Sequence, residues 1–592
     1  MCGILGSISN VSKAPEIALK KLNLRGPDFQ DTWCSDKIIL GHTRLSIIDL
    51  YKEANQPFQS ANGRYVMSYN GELYNYKELA NKHALALKTQ SDTEVIIELF
   101  NKLGKGFVHE LNGMFAIAIY DKVENTTYLY RDRLGIKPLY YHRSGTGELS
   151  FASELPALLE LIPKPQISKE ATNLFLHRGY IPEHLTIYEG IKKFPSGSMG
   201  IFKEGKLSIE SYWKAEDQIK SSIYSDEKKV IKDLEELLRD SVSKRLMSDV
   251  PYGTFLSGGA DSGLISAIAA DISNEKLKTF NVSFEDAVFD ESTYASEMAE
   301  IIGSEHHQIR VTKKSVLEKI EEGMKLVGEP FADSSILPTM AVSEFASKQV
   351  KMILSGDGGD ELFMGYGAYT WADRLADPIK WNSRKLIAAL LRASGKARNK
   401  RAANVFDAPS KKGIQAHIFS QEQNLFSSRE IRKMTNRDFN DPWKMPFTKR
   451  KLSPAEKQAF FDLTNYLKDD LLVKVDRASM RYSLEARVPF LDHRIVEYAL
   501  NIDPALKRKN GETKYLVKKM MERYYPDHLI YRKKWGFSIP IEKWLKETDL
   551  WKNKYEPYTK TFKKIQINYL NKPEDSFLYN RLYALKCLSA YE

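Results

Sequence analysis

The stretch around residues 252–284 constrains the fold most. A short apolar strand leads into Phe255-Leu256-Ser257-Gly258-Gly259-Ala260-Asp261-Ser262, and an apolar helix follows over Leu264–Ile272. A second strand is expected at Thr279–Phe284. A third, at Val350–Leu354, runs into another glycine-rich, acidic turn. Strand, glycine turn, helix, strand is the pattern of a parallel sheet covered by helices. Small residues in such a turn let backbone N–H groups approach a phosphate, and the helix N-terminus favours its negative charge.

That unit fills only part of the chain. At about 100–200 residues per domain, 592 residues allow three to five domains or two large ones. Apolar residues make up 42% and charged residues 28%, which excludes a disordered or collagen-like chain. No apolar run approaches the roughly 18 residues needed to span a bilayer. The N-terminus has no basic region and does not read as a secretion signal. Three cysteines exclude a disulfide scaffold, so a reducing, cytoplasmic compartment is expected.

Upstream, the first 155 or so residues read as short strands and loops. Strands are expected at Ile38–Leu40, Tyr65–Tyr69, Met114–Tyr120 and Thr127–Tyr130, and helices at Glu16–Leu22 and Thr93–Leu103. Two stacked sheets with helices would accommodate them. The chain turns polar near Asp217–Ser225, which places a linker at about 205–228. Helical spacing resumes over Lys228–Met247. From about 360 onward the sequence reads as mostly helical, and helices are expected to carry Lys474 and Arg487.

The net charge of +11 suggests a polyanion partner, but its distribution is uneven. Residues 371–450 hold 18 Lys or Arg against 7 Asp or Glu, which equals the whole excess. Aromatics are not interleaved in the tract Lys396-Ala397-Arg398-Asn399-Lys400-Arg401, and no RNA-binding pattern accompanies it. A solvated helical insertion is the expected reading. A site for polyanions or acidic membrane lipids is the alternative, and no nucleic-acid partner is expected.

Several residue sets carry chemistry. Loss of Met1 would expose Cys2, whose own α-amine could then accept the thiol proton. Downstream lie Arg44-Leu45-Ser46-Ile47-Ile48, Asn70-Gly71-Glu72 and Asp92. Arg44 could pair a carboxylate and Asp92 an ammonium. The Asn70 amide and the Gly71 N–H could form an oxyanion hole, although Asn-Gly is also a common hairpin turn. Further on, Ser355-Gly356-Asp357-Gly358-Gly359-Asp360-Glu361 places three acids on a glycine-rich turn. That suits Mg²⁺ with pyrophosphate, since Mg²⁺ takes a few carboxylates plus phosphate oxygens.

Met1-Cys2-Gly3-Ile4, Arg25-Gly26-Pro27-Asp28, Asn70-Gly71-Glu72-Leu73-Tyr74-Asn75 and Arg131-Asp132-Arg133-Leu134-Gly135-Ile136-Lys137-Pro138-Leu139-Tyr140 together resemble the class II glutamine amidotransferase domain. Ser257-Gly258-Gly259-Ala260-Asp261-Ser262 resembles the pyrophosphate loop of ATP pyrophosphatases. With Leu472–Met480, Glu485–Asp492 and Arg532-Lys533-Lys534-Trp535-Gly536-Phe537-Ser538, it resembles the synthetase half of glutamine-hydrolysing asparagine synthetases. The resemblance implies an α+β N-terminal nucleophile hydrolase sandwich, two antiparallel sheets between helices, over 1–205. An α/β parallel-sheet ATP-pyrophosphatase domain with helical additions would cover 206–592.

The resemblance also implies roles. Cys2 would be the nucleophile, with Asn70 and Gly71 assisting it. Arg44, Leu45, Ser46, Ile47, Ile48, Asn70, Gly71, Glu72 and Asp92 would bind glutamine. Leu256, Ser257, Gly258, Gly259, Asp261, Ser262, Val282, Ser355 and Gly356 would bind ATP. Asp261 and Asp360 would hold Mg²⁺, and Asp357 and Lys534 would act in adenylate chemistry. Ammonia would cross an internal tunnel, and a homodimer is the common assembly. Ala260, Gly263, Met364 and Ser198 depart from the family's usual residues. The acceptor therefore stays open between aspartate and a sugar uronic acid of surface polysaccharide.

Overall fold

A computed structural model describes residues 2–8, 15–284, 290–532 and 577–591. Its N-terminal part rests on two six-stranded sheets whose neighbouring strands all run antiparallel. Side-chain alternation explains how they stack. In the strand Gly113–Asp121, Phe115, Ile117 and Ile119 pack with Leu99 and Phe100 of the helix Asp92–Leu103. The intervening Ala116 and Ala118 face the other sheet, against Ile4, Ile38 and Leu40. Bulk on the helix side and alanine between the sheets let the two layers approach closely. Helices Pro15–Leu22 and Leu155–Leu159 cover the outer face of the first sheet. The expected sandwich of two antiparallel sheets between helices is the observed architecture.

The hairpin Ser198–Lys203/Lys206–Ser211 forms one edge of the second sheet. That sheet therefore runs into the segment expected as a linker. The polar stretch after it leads to the helix Glu227–Arg245, capped by Asp226, whose side chain accepts from the Lys229 N–H.

The second sheet system has five parallel strands in the spatial order Glu305–Val311, Lys278–Phe284, Tyr252–Phe255, Met352–Leu354, Glu485–Arg487. In chain order this is 3-2-1-4-5. Both faces are covered, as a parallel sheet requires. Met352 and Leu354 pack with the helices Glu227–Arg245 and Ala260–Ile272. Ile353 points the other way, toward Lys313–Lys325 and Ile336–Ala346. The expectation of helix around Arg487 is corrected here. Glu485–Arg487 is an edge strand paired with Met352–Leu354, because three alternating buried residues fit beside a strand already formed. Lys474 does lie on a helix, Leu472–Met480. The basic segment folds as a run of helices with its own small core of Ala372, Leu375, Ala388, Phe406 and Ile418.

Candidate active sites

Cys2 precedes the first strand and is buried. Its backbone N–H donates to Asn70 Oδ1 at 3.1 Å. The Asn70 side-chain nitrogen is buried and has no hydrogen-bond partner among the described residues. A donor left unpaired away from water is costly, so this one is available to a ligand oxygen beside the thiol. Asn70-Gly71 forms no turn; it lies inside the strand Tyr65–Leu73, with Gly71 opposite Phe115. A Cβ at Gly71 would sit 2.1 Å from the Met114 carbonyl oxygen, so the strand pairing itself demands glycine. Burial pushes the Cys2 thiol above its ordinary value, while the Leu45 backbone N–H and the charge of Arg44 pull it back.

The surrounding residues divide into two groups. Arg44 spends both terminal nitrogens on the loop after it, reaching Tyr51 O at 2.9 Å, Asn55 Oδ1 at 2.6 Å and the Ile48 and Asp49 carbonyls. It thereby shapes the loop Leu45–Ile48, which Ser46 anchors through its N–H to Asp28 at 2.8 Å and Ile47 through its carbonyl to the Asp249 N–H. Asp92 is buried and accepts from the Tyr69 hydroxyl at 2.9 Å and the Leu73 N–H at 3.0 Å. Burial raises its carboxyl above the usual range against those two bonds. Glu72 points instead toward the other half of the chain, 3.0 Å from Arg487.

Two buried arginines knit the halves together. Arg25 donates to the Cys2 carbonyl at 3.1 Å, to Glu154 at 2.8 Å and, through two nitrogens, to Asp476 at 2.8 and 3.0 Å. Asp476 belongs to the helix Leu472–Met480, so one guanidinium ties the cysteine's backbone to the second domain. Burial alone would raise the Asp476 carboxyl, but Arg25 holds it well below the ordinary range. Arg487 bridges Glu72 and Glu485, the latter at 2.6 Å. A narrow void lies at this boundary, lined in part by Gly135, Pro138, Leu472 and Val473.

The second candidate site lies where strands 1 and 4 of the parallel sheet diverge. Ligands bind at such switch points, outside the C-terminal strand ends. Strand Tyr252–Phe255 delivers Leu256 and the turn Ser257–Gly259, with Gly258 at φ +75°. Ser262 Oγ holds the turn from the first helical residues, 3.1 Å from Ser257 N and 2.9 Å from Ser257 Oγ. Strand Met352–Leu354 delivers Ser355, Gly356 and Asp357, and Gly358 turns at φ +96°. The two turns touch. A Cβ at Gly356 would meet Ser262 N at 2.8 Å, and one at Gly359 would meet Asp261 Oδ1 at 2.3 Å. Val282 is buried on the neighbouring strand.

Asp261 and Asp360 converge on one point, occupied by the Lys514 ammonium, which pairs with both. Asp261 Oδ1 is buried without a hydrogen-bond partner among the described residues. Two carboxylates already gathered around one cation, one of them with an unspent oxygen, fit a divalent ion completed by phosphate oxygens. Among the described residues no group of three or more His, Cys, Asp or Glu could hold a metal by itself. Asp357 accepts from Ser355 Oγ at 2.6 Å. Burial raises its carboxyl, and Ser355 and Lys474 oppose that rise. Lys534 lies outside the described residues.

Sequence reasoning missed Lys514, whose place in a lysine-rich stretch gives no signal. Its backbone sits at φ +53°, a conformation rare outside glycine and asparagine and often found at functional sites. It also missed Asp333 and Ser335, each 2.8 Å from the Lys474 ammonium. The segment Glu329–Ser335 offers only two acids and two serines in a loop.

Comparison with known proteins agrees with this geometry. Residues 233–561 match the family described as Asparagine synthase, and residues 1–213 match the Glutamine amidotransferase domain. The chain is 32% identical to asparagine synthetase [glutamine-hydrolyzing] 1 of Bacillus subtilis (strain 168), over 92% of this chain and 88% of that one. It is 30% identical to asparagine synthetase [glutamine-hydrolyzing] 3 of the same organism, over 90% and 86%. With asparagine synthetase B of Escherichia coli (strain K12) it shares 28% identity, over 91% and 82%. A cysteine site and a glycine–acid loop pair, each on its own sheet system and matched over nearly the whole length, place this chain in the asparagine synthase family that carries an N-terminal glutamine amidotransferase domain.

Proposed function

We propose that this chain is a glutamine-hydrolysing asparagine synthetase, releasing ammonia from glutamine at Cys2 and transferring it to an aspartyl-adenylate. The observation that carries this reading is the pairing of two sites in one chain. A buried cysteine lies beside the unspent Asn70 donor, and two glycine-rich turns meet at the switch point of a parallel sheet.

With Met1 removed, the α-amine of Cys2 takes the thiol proton and the sulfur attacks the glutamine side-chain amide carbon. Asn70 donates to the oxyanion, with the Gly71 N–H as the second donor. The C–N bond breaks, ammonia leaves, and water cleaves the thioester to glutamate. Asp92 receives the α-ammonium, and Arg44 with Leu45–Ile48 and Glu72 shapes the pocket. Ammonia must stay out of water, where at pH 7 it would become ammonium and lose its nucleophilic lone pair. The void between the halves, with Gly135, Pro138, Leu472 and Val473 on its walls, supports a protected route.

At the second site ATP is a substrate. Ser257, Gly258, Gly259 and Ser262 cradle its phosphates, while Leu256, Val282, Ser355 and Gly356 contact the rest of the nucleotide. A carboxylate oxygen of aspartate attacks the α-phosphorus, and the bond to the β-phosphate bridge breaks to release pyrophosphate. Asp261 and Asp360 would hold Mg²⁺, which when bound offsets the charge of the phosphates. The ammonium of Lys514 adds positive charge there, and Lys534 takes the matching role by resemblance. Ammonia then attacks the acyl carbon, AMP departs, and Asp357 accepts the proton. Its burial makes it a better base than an exposed carboxylate.

In this reading the glutaminase part, 1–205, and the synthetase part, 206–592, meet near the polar segment 205–228. Three free cysteines among the described residues suit the cytoplasm. None of the described helices is long and apolar enough to cross a membrane.

The test is pyrophosphate release with ATP, Mg²⁺ and ammonium against a panel of carboxylates. Release with aspartate, giving AMP and asparagine, is the expected result. Silence with aspartate and release with a sugar uronic acid would overturn aspartate as the acceptor.

A further inference from the structure

Residues 371–450 stand outside both sites, yet they hold the charge excess of the whole chain. The charge concentrates on a hairpin of two helices, Pro378–Ala393 and Ala397–Phe406. Between positions 378 and 406 there are eight Lys or Arg and no Asp or Glu.

The first helix of this hairpin is turned inside out. Ala388 is its one buried residue, with Ile387 and Leu391 partly covered beside it. At 100° per residue, Ile379, Leu386 and Leu390 fall within about 40° of one another, on the side opposite Ala388. They are 80%, 64% and 65% exposed. An ordinary surface helix buries its large aliphatic side chains and shows its polar face to water. This one packs through an alanine and presents three large aliphatics as a ridge. Lys380 flanks the ridge on one side, Lys385 and Arg392 on the other. Lys380 is paired with Asp377 and Arg392 with Asp407, whereas Lys385 and Lys396 have no ion-pair partner among the described residues.

We propose that the helix Pro378–Ala393 lies flat on an anionic lipid bilayer, with Ile379, Leu386 and Leu390 among the acyl chains and the lysines at the level of the phosphates. Charge complementarity selects this occupant. A second copy would meet the same patch across a two-fold axis, setting together two hairpins that each carry eight Lys or Arg and no acid between 378 and 406. An anionic headgroup layer supplies counter-charge along the whole hairpin, including at Lys385 and Lys396. The ridge is convex and narrow, a shape that inserts into a soft interface. An apolar stripe with flanking Lys/Arg is also the composition of helices that lie in that interface. Either signal alone binds weakly, and the two together hold more firmly though short of the irreversible insertion of a spanning helix.

The test is flotation of the full-length protein with vesicles, one set of phosphatidylcholine and one containing about 30% phosphatidylglycerol. The expected result is recovery with the anionic vesicles only, falling as salt rises. Ile379→Ser/Leu386→Ser/Leu390→Ser should lower the bound fraction by about tenfold or more. Lys385→Glu/Lys396→Glu should do the same. All five positions are on the surface, so amide-forming activity in solution should be retained in both variants and reports that they are folded. Equal recovery on phosphatidylcholine overturns the proposal, as does no recovery on anionic vesicles. Anionic-vesicle binding unchanged by the triple substitution would overturn it too. A dimer in size-exclusion chromatography that the triple substitution converts to monomer would assign the ridge to a second copy instead.

Discussion

Arg487 Nη2 stands 3.0 Å from Glu72 Oε2, and the two residues come from different halves of the chain. Glu72 follows Asn70-Gly71 on the strand beside Cys2. Arg487 ends the edge strand of the parallel sheet and also pairs with Glu485. Burial alone would make each of these charges costly. The two carboxylates share one guanidinium, which stabilises the contact between the domains.

Replacing that guanidinium tests the arrangement. Arg487→Met would take from Glu72 and Glu485 the buried guanidinium they share. Breaking a buried pair from one side costs about 3–5 kcal/mol, so a marked drop in the thermal unfolding midpoint is expected. The double variant Glu72→Gln/Arg487→Met should recover part of the loss, because the two sites are coupled. Additive losses would mean that the pair does not act as a unit.

The cysteine site makes a separable prediction. Cys2→Ala should abolish glutamine-dependent synthesis while ammonium-dependent synthesis persists. Asn70→Ala removes the unspent donor, and loss of one oxyanion donor costs about 10²–10³ in kcat. Glutaminase activity should fall by that factor with the ammonium reaction unchanged. A Cys2→Ala enzyme that still hydrolyses glutamine would falsify the assignment of the nucleophile.

These positions also show what the sequence discloses and what it withholds. Local patterns were legible. The alternation in Met114–Tyr120 and the strand–glycine–helix order at Tyr252–Ile272 both follow from chemistry within a few residues. Long-range pairings were not. Nothing in Glu485-Ala486-Arg487 alone shows a strand, since its conformation depends on Met352–Leu354, more than a hundred residues earlier. The same holds for Lys514, which meets Asp261 and Asp360 only once the helix Tyr515–Met521 has packed against Ala260–Ile272. By residue type Arg44 could pair a carboxylate, yet its terminal nitrogens are taken by loop carbonyls and Asn55 Oδ1. Residue type at a spacing cannot reveal such a competing partner.

The contact between the two glycine-rich turns makes a third prediction. A Cβ at Gly359 would fall 2.3 Å from Asp261 Oδ1 and 2.6 Å from its Cγ. Gly359→Ala must therefore push Asp261 off the point it shares with Asp360 and Lys514. Displacement of a reacting group by about 1 Å can cost on the order of 10²-fold in rate. ATP-dependent pyrophosphate release should fall by that order while glutaminase activity at Cys2 is retained. Unchanged pyrophosphate release would show that Asp261 is not needed at that point.

Buried neutral histidines set a fourth expectation, for pH. Burial pushes His42 and His493 down to about 3 and His417 to about 4. His42 Nε2 donates to the Tyr69 carbonyl at 3.2 Å, and its Nδ1 is buried without a partner among the described residues. In the unfolded chain each of these rings protonates near the ordinary value of about 6.5. A depressed folded value means that the stabilisation is fully present above about 6.5 and is lost as pH falls toward the folded values, because the unfolded state takes up the proton first. Each ring adds a slope of about 1.36 kcal/mol per pH unit within that window. Buried acids such as Glu361, raised to about 8 by burial and by Asp360, act in the opposite direction, so the comparison must isolate one ring. His42→Gln can keep the bond to Tyr69 O and cannot titrate. Unfolding free energies measured for both proteins between pH 6 and 4.5 should converge as pH falls, with the variant's slope shallower by about one proton. Parallel slopes would mean that His42 protonates as readily in the folded chain as in the unfolded one.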